Sequence, residues 1–174
     1  MEIKLSTIDD ALFLSKYYLE NASHLQPWEP LIKEGYHAVE AWRERLLRRE
    51  AEQKERSAAY FLAYEQNPRE IIASCSLTSI TRGAFLGCYM GYSVAKLYEG
   101  RGVMKKLCTH AIQYAFNDLG LNRVMANYMP RNTRSEKLLE SLGFETEGLA
   151  RRYLCINGKW EDHVLASLLN PNYK

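Results

Sequence analysis

Two glycines placed just ahead of a helical run give this sequence its clearest anion-binding feature. In YMGYSVAKLYEGRGVMKKLCTHAIQYA, Tyr89 to Val94 has the aromatic and β-branched character of a strand, and Val103, Leu107, Ala111 and Ala115 recur at helical spacing. The loop between them, Lys96 to Arg101, leads through Gly100 into Gly102. A helix start exposes unpaired backbone N–H groups at the positive end of the helix dipole, and glycine has no Cβ to keep a ligand away. A phosphate or pyrophosphate is the ligand that such a loop would take. The same residues also suit a plain turn. No GK[ST] follows and no GxGxxG stands in a βαβ setting, which disfavours nucleotide hydrolysis and hydride transfer. Cys75, Cys88, Cys108 and Cys155 are far apart without CxxC spacing, so buried thiols are expected rather than a metal site.

The elements that must position this loop can be read in order. Glu2 to Leu5 is a short strand, and Thr7 with Asp10 resembles a capping box opening a helix whose face carries Ile8, Leu12, Ser15 and Leu19. His24 to Glu34, with Gln26-Pro27-Trp28-Glu29-Pro30, predicts a loop whose Trp packs onto something. A second helix is expected from Tyr36 to Arg56 with Val39, Trp42 and Leu46 inside and mixed charges outside. Ser57 to Tyr64, Glu70 to Ile80 and Phe85 to Val94 predict an antiparallel meander, its first turn at Gln66 to Arg69. After the glycine loop and its helix, Gly102 to Phe116, come a strand at Asn122 to Tyr128 and a helix capped by Asn132 that carries Leu138, Leu139 and Leu142. A closing hairpin, Phe144 to Ile156 and Lys159 to Leu169, turns at Asn157-Gly158.

The chain has 174 residues, 47% hydrophobic and 25% charged, which suits one α+β domain over 1–174 with a mainly antiparallel sheet and packed helices. A net charge of +2 gives no basis for direct DNA binding, so any anion site must be local. MEIKLSTIDDALFL is acidic where a secretory signal would be basic, and no apolar run approaches the roughly 20 residues of a membrane span, so a cytoplasmic protein without a membrane partner is expected.

The pattern N-x-x-S-x-x-L-L-x-x-x-G-F, formed by Asn132, Ser135, Leu138, Leu139, Gly143 and Phe144, joins the glycine loop in resembling the GNAT superfamily of acetyl-CoA-dependent N-acetyltransferases. The family's [QR]-x-x-G-x-[GA] falls on Glu99, Gly100, Arg101, Gly102, Val103 and Met104, with departures at Glu99 and Met104. The strings HLQPWEP, GYSVA, YEGRGVM, MANYMPRN and LCINGKWEDHVLASL look like the ribosomal-protein-alanine N-acetyltransferases of the Rim type.

The resemblance implies a GNAT-like fold with a splayed strand pair and about four flanking helices. Acetyl-CoA would enter as co-substrate, its pantetheine arm lying between the strand ending at Tyr92, Ser93 and Val94 and the Asn122 to Tyr128 strand. The amides of Gly100 to Met104 would hold the pyrophosphate, with Arg101, Lys105 or Lys106 meeting the outer phosphates. Glu99 is electrostatically unfavourable there unless it turns away or pairs with Arg101. An amide near Val94 would serve the oxyanion. Many relatives carry a tyrosine acid where this chain has Leu139, so by the Rim resemblance Ser135, one turn after Asn132, is the candidate to meet the departing thiolate. Glu29 is the candidate base, with a structural ion pair as its other reading. Asp162 either anchors the closing hairpin or draws in the substrate's ammonium. His163 is expected to be structural, and Tyr92, Tyr128 and Tyr153 are read as core or slot-wall aromatics.

The expected acceptor is a protein N-terminus, with a ribosomal protein beginning in Ala or Ser as type substrate. An α-amine with pKa ~7.7 to 8.0 is roughly 10 to 15% neutral at pH 7, against about one lysine in a few thousand, so it demands much less of a base. A small amine such as an amino acid or polyamine is the alternative acceptor. A ribosome-associated binding module of the same fold is a third reading.

Overall fold

The computed structural model describes residues 1–66 and 69–173. One seven-stranded sheet runs through it in the order β1-β2-β3-β4-β5-β7-β6. The strands are β1 (Glu2–Leu5), β2 (Ala59–Gln66), β3 (Arg69–Thr81), β4 (Gly87–Val94), β5 (Arg123–Met125), β6 (Glu145–Ile156) and β7 (Lys159–Leu169). All neighbours are antiparallel except β4 and β5. The expected meander is therefore present, while its first turn, at Asn67-Pro68, lies outside the described residues.

Among the described residues the α-helices are α1 (Ala11–Glu20), the single turn α2 (Ala22–Leu25), α3 (Val39–Lys54), α4 (Val103–Gln113) and α5 (Thr133–Ser141). Alternation along β2 assigns them to two faces. Ala59, Phe61 and Ala63 join the core beneath α4, which buries Val103, Leu107, Cys108 and Ala111, while Leu62 and Tyr64 join Leu14, Tyr17, Trp42 and Leu46 of α1 and α3. The stripe read for α4 is buried throughout, and that of α3 is buried at Trp42 and Leu46 and half-buried at Val39.

The α1 stripe differs. Thr7 and Asp10 do form the capping box, but it opens a 3-10 turn, Ile8–Asp10, before α1 begins. The tighter winding shifts the helical phase, so Ala11, Leu14 and Tyr17 point inward and Leu12 and Leu19 are exposed. The Pro27 region is not a plain loop either. It holds α2 and a 3-10 turn, Gln26–Trp28, with the proline near the turn's start, where a missing N–H costs little. The next helix begins at Val39 rather than Tyr36, because Ser15 Oγ donates to the His37 carbonyl at 2.6 Å and holds it outside the helix. Asn157 and Gly158 both have positive φ, 45° and 78°, the geometry of the tight hairpin turn.

The feature that makes a site is the parting of β4 from β5. They pair from Gly87↔Arg123 to Tyr89↔Met125 and no further. β4 continues to Val94 along β3, whereas Ala126 and Tyr128 bond only to the β7 side, through Ala166 and Val164 carbonyls at 2.9 and 3.1 Å. The strand expected to reach Tyr128 thus stops facing β4 at Met125, and a slot opens between them.

Candidate active site

Ala95 N–H donates to Ile72 O at 2.8 Å, on the β3 side of the strand. Strand alternation then turns the Val94 and Tyr92 N–H groups toward the slot. Glu99 is extended, and Gly100 and Gly102 follow with φ of 71° and 74°. A Cβ at either glycine would meet nothing within 4 Å, so the left-handed turn, not packing, is what calls for glycine here. Gly102 caps α4, whose first internal bond is Lys106 N–H to Gly102 O at 3.2 Å. The amides of Val103, Met104 and Lys105 precede that bond and face outward from the helix end. The first turn of α4 holds no acidic residue to complement the dipole, and Lys105 and Lys106 stand there instead. That charge pattern is unfavourable for a bare helix and favourable for one that holds an anion.

A cavity of about 700 Å³ fills this space, lined by Glu29, Tyr92, Ser93, Val94, Gly100, Gly102, Val103, Met104, Asn132 and Ser135. These sequence-expected residues therefore share one site. Asn132 Oδ1 accepts the Ser135 N–H at 3.2 Å and caps α5. The Ser135 hydroxyl lies 2.5 Å from the Tyr92 hydroxyl, and burial pushes the Tyr92 phenol well above its ordinary pKa. On the other face of β4, Ser93 Oγ is bonded to Tyr17 Oη at 2.9 Å and to Ser74 Oγ at 3.0 Å, which fastens α1 to the slot wall.

Glu29 enters the wall from the segment after Trp28, and its carboxyl is pushed above the usual range by desolvation. Its carbonyl accepts Asn157 N–H at 2.9 Å, so this segment is tied to the β6–β7 turn. The Trp28 ring lies under the Arg131 guanidinium at 5.2 Å, and Arg131 pairs with Glu161 at 3.1 Å. Trp28 thereby finds its packing partner.

Three expected site residues, Arg101, Asp162 and Lys106, lie apart from the cavity lining. Arg101 places its guanidinium over the Tyr98 ring at 5.2 Å. Asp162 Oδ1 accepts the Arg152 N–H at 2.8 Å, where Arg152 has φ of 48° in the β6 bulge, so the carboxylate anchors the hairpin. Lys106 is likewise outside the lining, whereas Lys105 is within it. Glu99 pairs not with Arg101 but with Arg134, and His24 Nε2 lies 3.6 Å from the same carboxylate. Arg134, Lys137 and His24 line the cavity and were not singled out from sequence. The signal for the first two was present, because basic residues three apart in the first turns of a helix share a face. Leu139 is 2% exposed, in the core. Cys75, Cys88 and Cys108 are buried as expected, but Cys155 is exposed on β6. Among the described residues no helix is long and apolar enough to cross a membrane.

The arrangement can hold an anion at the end of α4, an extended amide-bearing chain along β4, and hydroxyl and carboxyl groups deeper in the slot. Known proteins share the fold that builds it. The chain is 42% identical over 164 residues, 94% of its length and 84% of the relative's, to the [ribosomal protein uS5]-alanine N-acetyltransferase of Escherichia coli (strain K12). The crystal structure of ribosomal-protein-S5-alanine acetyltransferase from Vibrio fischeri superposes with a TM-score of 0.96 at 39% identity, covering 99% of this chain and 94% of that one. Mycobacterium smegmatis RimJ in complex with CoA-disulfide gives 0.91 at 28% identity, covering 98% and 82%. Residues 4–145 match the acetyltransferase (GNAT) domain. With the parted strands, the glycine turn and the sequence match in agreement, this chain belongs to the GNAT acetyltransferase family.

Proposed function

We propose that this chain, as one N-acetyltransferase domain over 1–174, transfers the acetyl group of acetyl-CoA to the α-amine at the N-terminus of a protein. A cytoplasmic ribosomal protein beginning in Ala or Ser is the substrate class. The observation that carries the reading is the single cavity joining the α4 phosphate cradle to Glu29, in a chain 42% identical to an enzyme named for uS5-alanine acetylation.

Acetyl-CoA supplies the activated thioester, and the protein's groups do the rest. The amides of Gly102 to Lys105 bind the pyrophosphate, with Lys105, Arg134 and Lys137 at hand for the outer phosphates. The slot-facing amides of β4 hold the pantetheine chain as an added strand, and the Val94 N–H is the donor for the oxyanion. Glu29, poorly solvated and raised in pKa, takes the ammonium proton directly or through water. The Ser135 hydroxyl meets the leaving sulfur. Asp162 acts on the fold of the hairpin that borders the acceptor end.

The test is acetyl-CoA binding by calorimetry, followed by thiol release with short peptides bearing free N-terminal Ala, Ser or Met. Release with Ala and Ser peptides is expected. Binding without release for any amine would favour a binding module instead.

A further inference from the structure

We infer that Tyr92 acts with Ser135 as one two-hydroxyl unit that presents a single O–H to the leaving sulfur, the hydroxyl that donates to sulfur being supported by the bond it accepts from the other. This rests on the acetyl-transfer reading above. Tyr92 projects from the open stretch of β4 and Ser135 from the first turn of α5, so the two hydroxyls approach from opposite walls of the slot and stand 2.5 Å apart. Each carries one proton, and the bond between them uses only one. Whichever oxygen donates, the pair keeps one O–H free for a ligand in the cavity.

Three further observations support the role. Ser135 does not need its hydroxyl for capping, because Asn132 Oδ1 already accepts the Ser135 N–H. Leu139, one turn further along α5, is buried in the core and offers no donor. Burial holds the Tyr92 phenol protonated across working pH, so it remains a donor as charge appears on sulfur. The C–N bond forms first, giving the oxyanion, and the C–S bond breaks as that adduct collapses, its electron pair going to sulfur. The hydroxyl pair stabilises that charge by hydrogen bonding. The ammonium nitrogen loses two protons on its way to the amide, one toward Glu29 or water before attack and one as the tetrahedral adduct collapses. The thiolate, with an ordinary pKa near ~8.5, takes one back and the other leaves to solvent.

The unit makes a prediction that a single donor would not. In Ser135→Ala the Tyr92 O–H is released toward the slot, and in Tyr92→Phe the Ser135 O–H remains, so each single variant keeps one donor. Because one donor survives, each single loss in kcat is expected to be about three- to tenfold, well short of the roughly 13- to 160-fold that losing a whole hydrogen bond to a charged group, about 1.5–3 kcal/mol, would give. The double variant is expected to lose that whole amount, more than the product of the singles. Acetyl-CoA affinity should stay within about threefold, consistent with loss of leaving-group stabilisation alone. A second readout needs no turnover: the thiol pKa of bound CoA, titrated by ultraviolet difference absorbance on the full chain. It should lie below the free thiol's in the wild type, rise in each single variant and rise most in the double. A double variant no slower than Ser135→Ala, or a bound-thiol pKa indifferent to Tyr92→Phe, overturns the role of Tyr92 while leaving acetyl transfer standing. A wild-type protein that binds no acetyl-CoA and releases no thiol overturns the underlying reading instead.

Discussion

The carboxylate of Glu99 lies against the guanidinium of Arg134, with His24 Nε2 3.6 Å away, so the glycine loop, α5 and α2 are joined in the wall of one cavity. Arg134 is thereby held near the proposed phosphate cradle, but with part of its charge already answered. Glu99→Gln keeps a hydrogen-bond acceptor for Arg134 and removes the negative charge. Acetyl-CoA binding should tighten by about three- to tenfold, about 1 kcal/mol, and the gain should shrink as salt is raised. Calorimetry at two ionic strengths checks this. Weaker binding would show that the carboxylate is needed to present Arg134.

Gly102 carries φ of 74° at the cap of α4. Gly102→Ala meets no atom but places a Cβ on a left-handed backbone, at a cost of about 1–2 kcal/mol, or about 3–6 °C in Tm. Gly102→Glu adds negative charge in the cradle at similar strain. Thermal melts should match between the two, while acetyl-CoA affinity falls much further for Glu. Equal affinities in the two folded variants would remove the phosphate from this helix end.

His37 stacks on Tyr18 at 4.5 Å with Trp42 packed beside both rings, and burial, with Arg45 nearby, lowers its pKa to about 4. The folded state therefore binds this proton less readily than the unfolded chain, whose histidine titrates near ~6.5. Stability from this residue is full above pH ~6.5 and is lost as pH falls toward 4, by about 3 kcal/mol at most. His37→Phe keeps a ring in the stack without the titrating nitrogens. Urea unfolding at pH 7 and pH 4.5 should show a smaller drop in the variant than in the wild type.

Glu29 has the opposite sign. Desolvation raises its pKa, so the folded state holds the proton to higher pH than the unfolded chain does, and the carboxylate costs stability once pH passes the unfolded value of ~4.3. Glu29→Gln should be more stable than wild type at neutral pH and no different below that value. Its kcat/KM for an Ala-peptide should fall about 100-fold and lose the acid limb of the pH profile. A variant with wild-type activity would return Glu29 to a structural role.

Legibility in the sequence followed locality. The Gly100–Gly102 turn, the Asn132 cap, the α4 stripe and the Asn157-Gly158 hairpin depend on residues close in the chain, and each is where its pattern placed it. What failed depended on distant partners. Glu99 lies two residues from Arg101 but pairs with Arg134, because α5 folds back over the glycine loop. Ser15 sets the start of α3 through the His37 carbonyl, and the 3-10 turn before α1 rotates its buried face. The α4 pattern continues into a π turn, Tyr114–Asp118, that keeps Ala115 buried, so periodicity alone could not reveal the change of winding. The hairpin-anchoring reading of Asp162 was legible, but its partner, the Arg152 amide in a bulge, was not.

The most direct test of acetyl transfer to a protein α-amine is thiol release from acetyl-CoA with peptides beginning in Ala, Ser or Met, each also in N-terminally blocked form, beside a polyamine. Release with free Ala and Ser peptides, abolished by blocking the α-amine, is the expected result. Release with the polyamine alone would contradict it and assign the slot to small amines.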